Sequence, residues 1–128
     1  MGSDSGVRSL KGEDGSKPHP RAFGTPIQFL TTFVREQKLL SWGEGLRRMT
    51  GLPAHVLGWQ RRGRIAEGAV ADLVVFSPED LADRSTYAEP VAAPAGVQHV
   101  LVAGQFVLRD GAHTGARPGR IIQRGRDE

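Results

Sequence analysis

Between Ile27 and Leu40 the apolar residues recur at helical spacing. Ile27, Leu30 and Val34 share one stripe, Phe29, Phe33 and Leu40 widen it, and Arg35, Glu36 and Lys38 are left for water. Thr25, followed by Pro26 and by Gln28 three residues on, carries the signals of a helix start, so the pattern predicts a helix from Thr25 to Leu40. Ser41 with Glu44 three residues later repeats the signal and predicts a second helix, Trp42 to Thr50, stopped at Gly51. Leu46 and Met49 form its buried side, and Gly43 and Gly45 weaken it by about 1 kcal/mol each relative to Ala. Leu52 to Gly58, with Pro53 in its first turn and glycine at its end, predicts one or two further helical turns.

After the basic turn Gln60 to Arg64 the period changes. Ala71 to Phe76 is a β-rich run closed by Pro78, read as a strand buried on both faces. Val97 to Val102 and Gln105 to Leu108, separated by Ala103-Gly104 and closed by Asp110-Gly111, predict an antiparallel hairpin and hence a sheet of three strands. Glu79 to Gly96 is rich in Ala and Pro and reads as an irregular crossing with a turn of helix near Leu81. Met1 to Gly24 has only Val7 and Leu10 as aliphatic residues after its start and reads as loop. The fold class is α+β, in three segments: a polar stretch 1–24, a helical stretch 25–58, and strands with a tail, 59–128.

Composition narrows the functional classes. A chain of 128 residues with 38% hydrophobic content is enough for one ordinary core and far short of the roughly 250 residues of an eight-stranded α/β barrel. There are no cysteines, which excludes disulfides and thiolate metal sites and fits a cytoplasmic protein. No apolar run is long enough to cross a bilayer, so no membrane partner is expected. The net charge of +3 raises nucleic acid as a partner. Only Arg117, Arg120, Arg124 and Arg126 cluster, however, and Gly115, Pro118, Gly119 and Gly125 break any regular reading element there. A solvated basic tail is the expectation, with a nucleic-acid-binding module as the weaker alternative.

The four histidines, His19, His55, His99 and His113, show neither His-x-His nor His-Glu-x-x-His spacing, so a self-contained zinc site is not expected. Asp72 precedes a strand and reads as a structural residue that bonds backbone amides. The glycines and arginines of the stretch from His113 to Arg120 lack the pattern of a phosphate loop, and their expected use is to lay the terminus back over the fold. Trp42, Trp59 and Tyr87 are too dispersed for a stacking platform and are expected to fill packing gaps.

Several blocks carry a family resemblance. Glu67-Gly68, then Ala71 to Phe76, with Val97, Val102, Gly104 and Val107 downstream, resembles the end of many metal-dependent amidohydrolases. Four narrower blocks occur in order: His19-Pro20-Arg21-Ala22-Phe23-Gly24-Thr25, Met49 to Ala54, Asp83-Arg84-Ser85-Thr86-Tyr87, and His113 to Arg120. Together they resemble the C-terminal part of an N-acyl-D-amino-acid deacylase, or D-aminoacylase. The resemblance implies that 25–58 are C-terminal helices of an incomplete α/β barrel and that the strands belong to an incomplete small β-sandwich.

It also implies zinc-dependent hydrolysis of carbon-nitrogen amide bonds other than peptide bonds, with N-acyl-D-amino acids as substrates. Asp4 corresponds to the aspartate at the end of the last barrel strand, both a metal-site and a catalytic carboxylate. A carboxylate beside zinc-bound water accepts its proton and then delivers it to the departing amine. Asp4 equally reads as a polar-loop residue behind a Met-Gly-Ser leader. Arg21 is the candidate binder of a substrate carboxylate, through its planar fork, and Arg8 or an arginine outside the chain would serve as well. His19-Pro20-Arg21 either orients the aspartate or contacts substrate, or is only a helix-leading turn fixed by Pro20.

Since the remaining metal ligands of the family come from earlier barrel strands, the chain alone is expected to be an inactive fragment that binds no zinc and lacks its N-terminal barrel portion. Exposed apolar surface then predicts self-association. The alternative is a stand-alone interaction or regulatory module derived from an amidohydrolase.

Overall fold

The first helix, α1, spans Arg21–Gln28 and continues directly into a π-helical stretch, Phe29–Glu36. The computed structural model describes residues 2–6, 8–10 and 17–123; Val7 of the polar leader and Arg124, Gly125 and Arg126 of the basic tail lie outside the described residues. Helix α1 begins four residues before the predicted start at Thr25, because a different group caps it. Pro20 already has helical φ and ψ of −51° and −30°. The orphan amide of Arg21 is taken by His19 Nδ1 at 3.1 Å, and the amides of Ala22 and Phe23 by the carbonyls of His19 and Pro20, each at 3.0 Å. Thr25 is not a cap: its hydroxyl donates to Arg21 O, one turn back, at 2.9 Å. Pro26 falls inside the helix, where it removes one rung of the ladder.

Beyond Gln28 the ladder widens, as in the 2.9 Å bond from Gln37 N–H to Thr32 O, five residues back. Lys38, at φ 51°, ends the rod before the predicted Leu40. Ile27, Leu30 and Val34 are buried as their spacing predicts, and Thr31 joins them.

The chain divides into two compact units, Met1–Trp42 with Pro78–Gly96 and Gly43–Ser77 with Val97–Glu128. In the first, segment 78–96 folds with the long rod. No helical turn forms near Leu81; a turn at 78–80 leads into an isolated bridge between Ala82 and Ala95. Leu81 is the most deeply buried of the large side chains, at 1% exposure. Arg35, expected in water, instead donates through Nη1 to the carbonyls of Pro78, Glu79 and Leu81 at 3.1, 3.3 and 2.7 Å. A charged donor thus satisfies backbone acceptors of a segment that has no ladder of its own.

The second unit holds α3 (Gly51–Leu57), most of α2 (Trp42–Met49) and the sheet. Only Thr50 separates the helices, so Gly51 opens α3 where it was expected merely to stop α2. Gly58, at φ 78°, closes α3 as predicted.

Strands β1 (Leu73–Phe76), β2 (Val97–Val102), β3 (Gln105–Arg109) and β4 (Ala112–His113) form an antiparallel sheet in the order 1-2-3-4. Ala103-Gly104 is the expected tight turn, with φ of 49° and 80°. Asp110-Gly111 does more than close β3: at φ 50° and 75° it is a second turn of the same kind, and it brings in a fourth strand that the sequence did not predict. Strand β1 is not buried on both faces, since Val74 and Val75 remain 57% and 42% exposed.

Asp72 has the structural role expected of it, over a longer reach. It accepts the Ala103 amide at 2.8 Å and pairs with the largely buried Arg62. The block after His113 bonds back to β3, through Thr114 N–H to Val107 O at 3.1 Å and Thr114 Oγ1 to Phe106 O at 2.7 Å.

Candidate functional site

The two residues singled out for catalysis and substrate binding meet. Asp4 Oδ2 lies 3.1 Å from Arg21 Nη2, with side-chain exposures of 88% and 45%. An ion pair this open to water contributes at most about 1 kcal/mol to stability, so its consequence is orientation. Asp4 sits at φ 52°, a left-handed conformation that Asp tolerates better than most residues.

Arg21 is held by the start of α1. Its backbone N–H bonds His19 Nδ1, so the neutral His19 ring carries its proton on Nε2. That Nε2 lies 3.0 Å from Tyr87 Oη, and the two rings meet edge-on with centroids 5.1 Å apart. Tyr87 is 79% exposed, which corrects its expected role as a gap filler.

Beneath this layer the blocks 19–25 and 83–87 are fitted together. A Cβ on Gly24 would stand 2.0 Å from Asp83 Oδ2. Asp83 Oδ1 accepts the Ser85 amide at 2.8 Å and the Ser85 hydroxyl, and that hydroxyl oxygen also lies 3.2 Å from Pro20 O. The sequence marked both blocks and gave no reason for the second. Its reason is to support the turn that carries His19 and Arg21, and the Tyr and Ser that perform this have no local periodicity to announce them.

Among the described residues no three His, Cys, Asp or Glu side chains converge, so Asp4 does not complete a metal site with them. His55, His99 and His113 belong to the second unit. His99 Nδ1 accepts the Asp110 amide at 3.1 Å, and His113 Nδ1 accepts the Gly115 amide at 3.0 Å, both in local structure of the sheet unit. No described helix is long and apolar enough to cross a membrane.

The chain is 44% identical over 119 residues to an N-acyl-D-glutamate deacylase of Alcaligenes xylosoxydans xylosoxydans, covering 90% of this chain and 24% of that protein. The fold superimposes on a D-aminoacylase mutant in complex with copper chloride with a TM-score of 0.80 and 38% identity, over 84% of this chain and 23% of the other. It also matches the N-acyl-D-glutamate deacylase of Bordetella bronchiseptica, complexed with zinc and a phosphonate inhibitor, with a TM-score of 0.69 and 45% identity, over 71% of this chain and 19% of that one. The chain therefore spans about a quarter of the length of the curated relatives it matches. The model of the Amidohydrolase family matches residues 4–108, from Asp4 itself through β3 to Leu108, and the chain belongs to that family.

Proposed function

We propose that this chain supplies the general acid-base carboxylate and the substrate-carboxylate arginine of a zinc-dependent deacylase acting on N-acyl-D-amino acids. The observation that supports the reading is the Asp4–Arg21 ion pair, which brings a carboxylate able to move a proton beside a guanidinium able to bind a carboxylate. Two of the compared proteins are N-acyl-D-glutamate deacylases, and one of those holds zinc.

In this reading Asp4 takes the proton of the attacking water and returns it to the departing amine. In the same reading Arg21 pairs with Asp4 through Nη2, and its planar fork has the geometry to bond a substrate carboxylate. The described residues do not fit a complete zinc site, since they offer a single convergent carboxylate. The metal is therefore assigned to ligands outside them, and the chain by itself is expected to be inactive.

The test is release of the free D-amino acid from its N-acetyl form by an enzyme in which this segment is joined to a barrel carrying the remaining ligands. Asp4→Ala is expected to lower kcat by about 10²-fold or more. Near-normal turnover in that variant sinks the assignment.

A further inference from the structure

We infer that Tyr87 is a positioning residue for Arg21, acting through His19, so that residue 87 tunes the Asp4–Arg21 site without joining it. The inference rests on the proposed function for its meaning and on the geometry alone for its substance. Arg21 is the first residue of α1, and its amide is one of the orphan donors that every helix start must satisfy. Pro20 offers no side-chain acceptor, and the acceptor comes instead from the His19 ring at Nδ1.

An imidazole can accept there only when its proton is on Nε2. A neutral ring in water divides its population between two tautomers, and only one of them caps the helix. With the Arg21 amide donating to Nδ1, the Nε2 proton faces Tyr87 Oη, 3.0 Å away, which accepts it and so reinforces the capping form. The edge-on contact of the two rings holds the imidazole plane in place. Tyr87 reaches this position because the Asp83–Ser85 turn shapes its segment and Asp83 seats closely against Gly24. Tyr87, His19 and the Arg21 backbone thus form a continuous chain of hydrogen bonds that ends where the guanidinium departs towards Asp4.

The experiment measures amide hydrogen exchange by mass spectrometry on the full chain, with the His19 ring tautomer read by ¹⁵N NMR. Tyr87→Phe keeps the ring edge and deletes Oη. It should speed exchange at Arg21 several-fold, leave the amides of Leu30 to Val34 unchanged, and broaden His19 from Nε2–H into a mixture of tautomers. His19→Asn supplies an acceptor that has no tautomer to select. In that background Tyr87→Phe should have no effect on Arg21.

Unchanged exchange at Arg21 in Tyr87→Phe overturns the inference, and so does a uniform rise that includes Leu30 to Val34. Neither readout depends on hydrolysis. An enzyme with no deacylase activity would therefore overturn the proposed function while leaving this inference to stand or fall on exchange alone.

Discussion

Gly24 lies against Asp83 so closely that a Cβ on the glycine would stand 2.0 Å from the carboxylate oxygen Oδ2. Glycine is required here by space and not by backbone conformation, since Gly24 is an ordinary helical residue in α1. Gly24→Ala should destabilise the chain by about 1–3 kcal/mol, the usual range for forcing an extra carbon into a packed site. The partner is a carboxylate on a segment fixed by its own bonds, so pairing the change with Asp83→Ala should recover part of the loss. Thermal or urea unfolding of the two single variants and the double variant reads the coupling directly, and strict additivity would mean that the two residues do not press on each other.

Arg21→Lys tests whether the planar fork matters or only the charge. Lysine keeps the positive charge near Asp4 and loses the bidentate geometry, so in an enzyme that joins this segment to its barrel KM should rise about tenfold while kcat falls less. A fall in kcat at constant KM would instead assign Arg21 to the Asp4 carboxylate alone.

Glu44 accepts from Arg47 Nε at 2.7 Å and from Arg48 Nε at 2.8 Å. The hydrogen bond from Arg47, then that from Arg48, lowers its carboxyl from the ordinary 4.5 to about 2. Unfolding restores the ordinary value, so the pairing favours the folded chain fully above about pH 4.5 and loses that contribution as the pH falls towards 2. A carboxyl NMR titration should show Glu44 titrating well below the ordinary 4.5, and Arg47→Ala should move it back upwards. A normal titration in the unsubstituted chain would rule out the pairing in solution.

Ala103 occupies the left-handed region at φ 49°, next to Gly104 at 80°. A non-glycine residue there costs about 1–2 kcal/mol, offset in part because Ala restricts the unfolded chain more than Gly does. Ala103→Gly should therefore raise stability by about 0.5–1 kcal/mol, visible as a higher melting temperature. A loss of stability would show that unfolded-chain entropy outweighs the strain.

Val74 and Val75 are both largely open to solvent on β1, and Phe106 on β3 is 38% exposed. Apolar strand surface of this kind favours association between copies. Sedimentation of the isolated chain should show a concentration-dependent rise in mass that Val75→Lys reduces. A monomer at all concentrations would contradict it.

Much of this was legible in the sequence, because short-range physics was sufficient. The stripe Ile27, Leu30 and Val34 is buried as its spacing required, Gly58 ends a helix, and Ala103-Gly104 turns a hairpin. Asp4 and Arg21 were selected separately, from a family resemblance and from the chemistry of a guanidinium, and nothing local said that they touch.

Elsewhere a stronger or more distant partner decided. Thr25 offered a sound N-cap, yet His19 reached the orphan amide of Arg21 first and moved the helix start by a turn. Arg35 was assigned to water because helical spacing counts only the helix's own faces, and the carbonyls at 78–81 that it satisfies lie more than forty residues away. The exposure of Val74 and Val75 reversed the reading of β1, since an apolar run states that a strand can be buried and not that the described chain buries it.

The sequence by itself determined the buried stripe of the first helix, the three longer strands and the tight turn at Ala103-Gly104, because these depend on groups within a few positions of one another. Only the tertiary structure decided that Tyr87 and His19 stand behind Arg21, and that Gly24 admits Asp83. Those relations join residues some sixty positions apart, and a chain shows such pairs only after segment 78–96 has folded against the helix that carries the site.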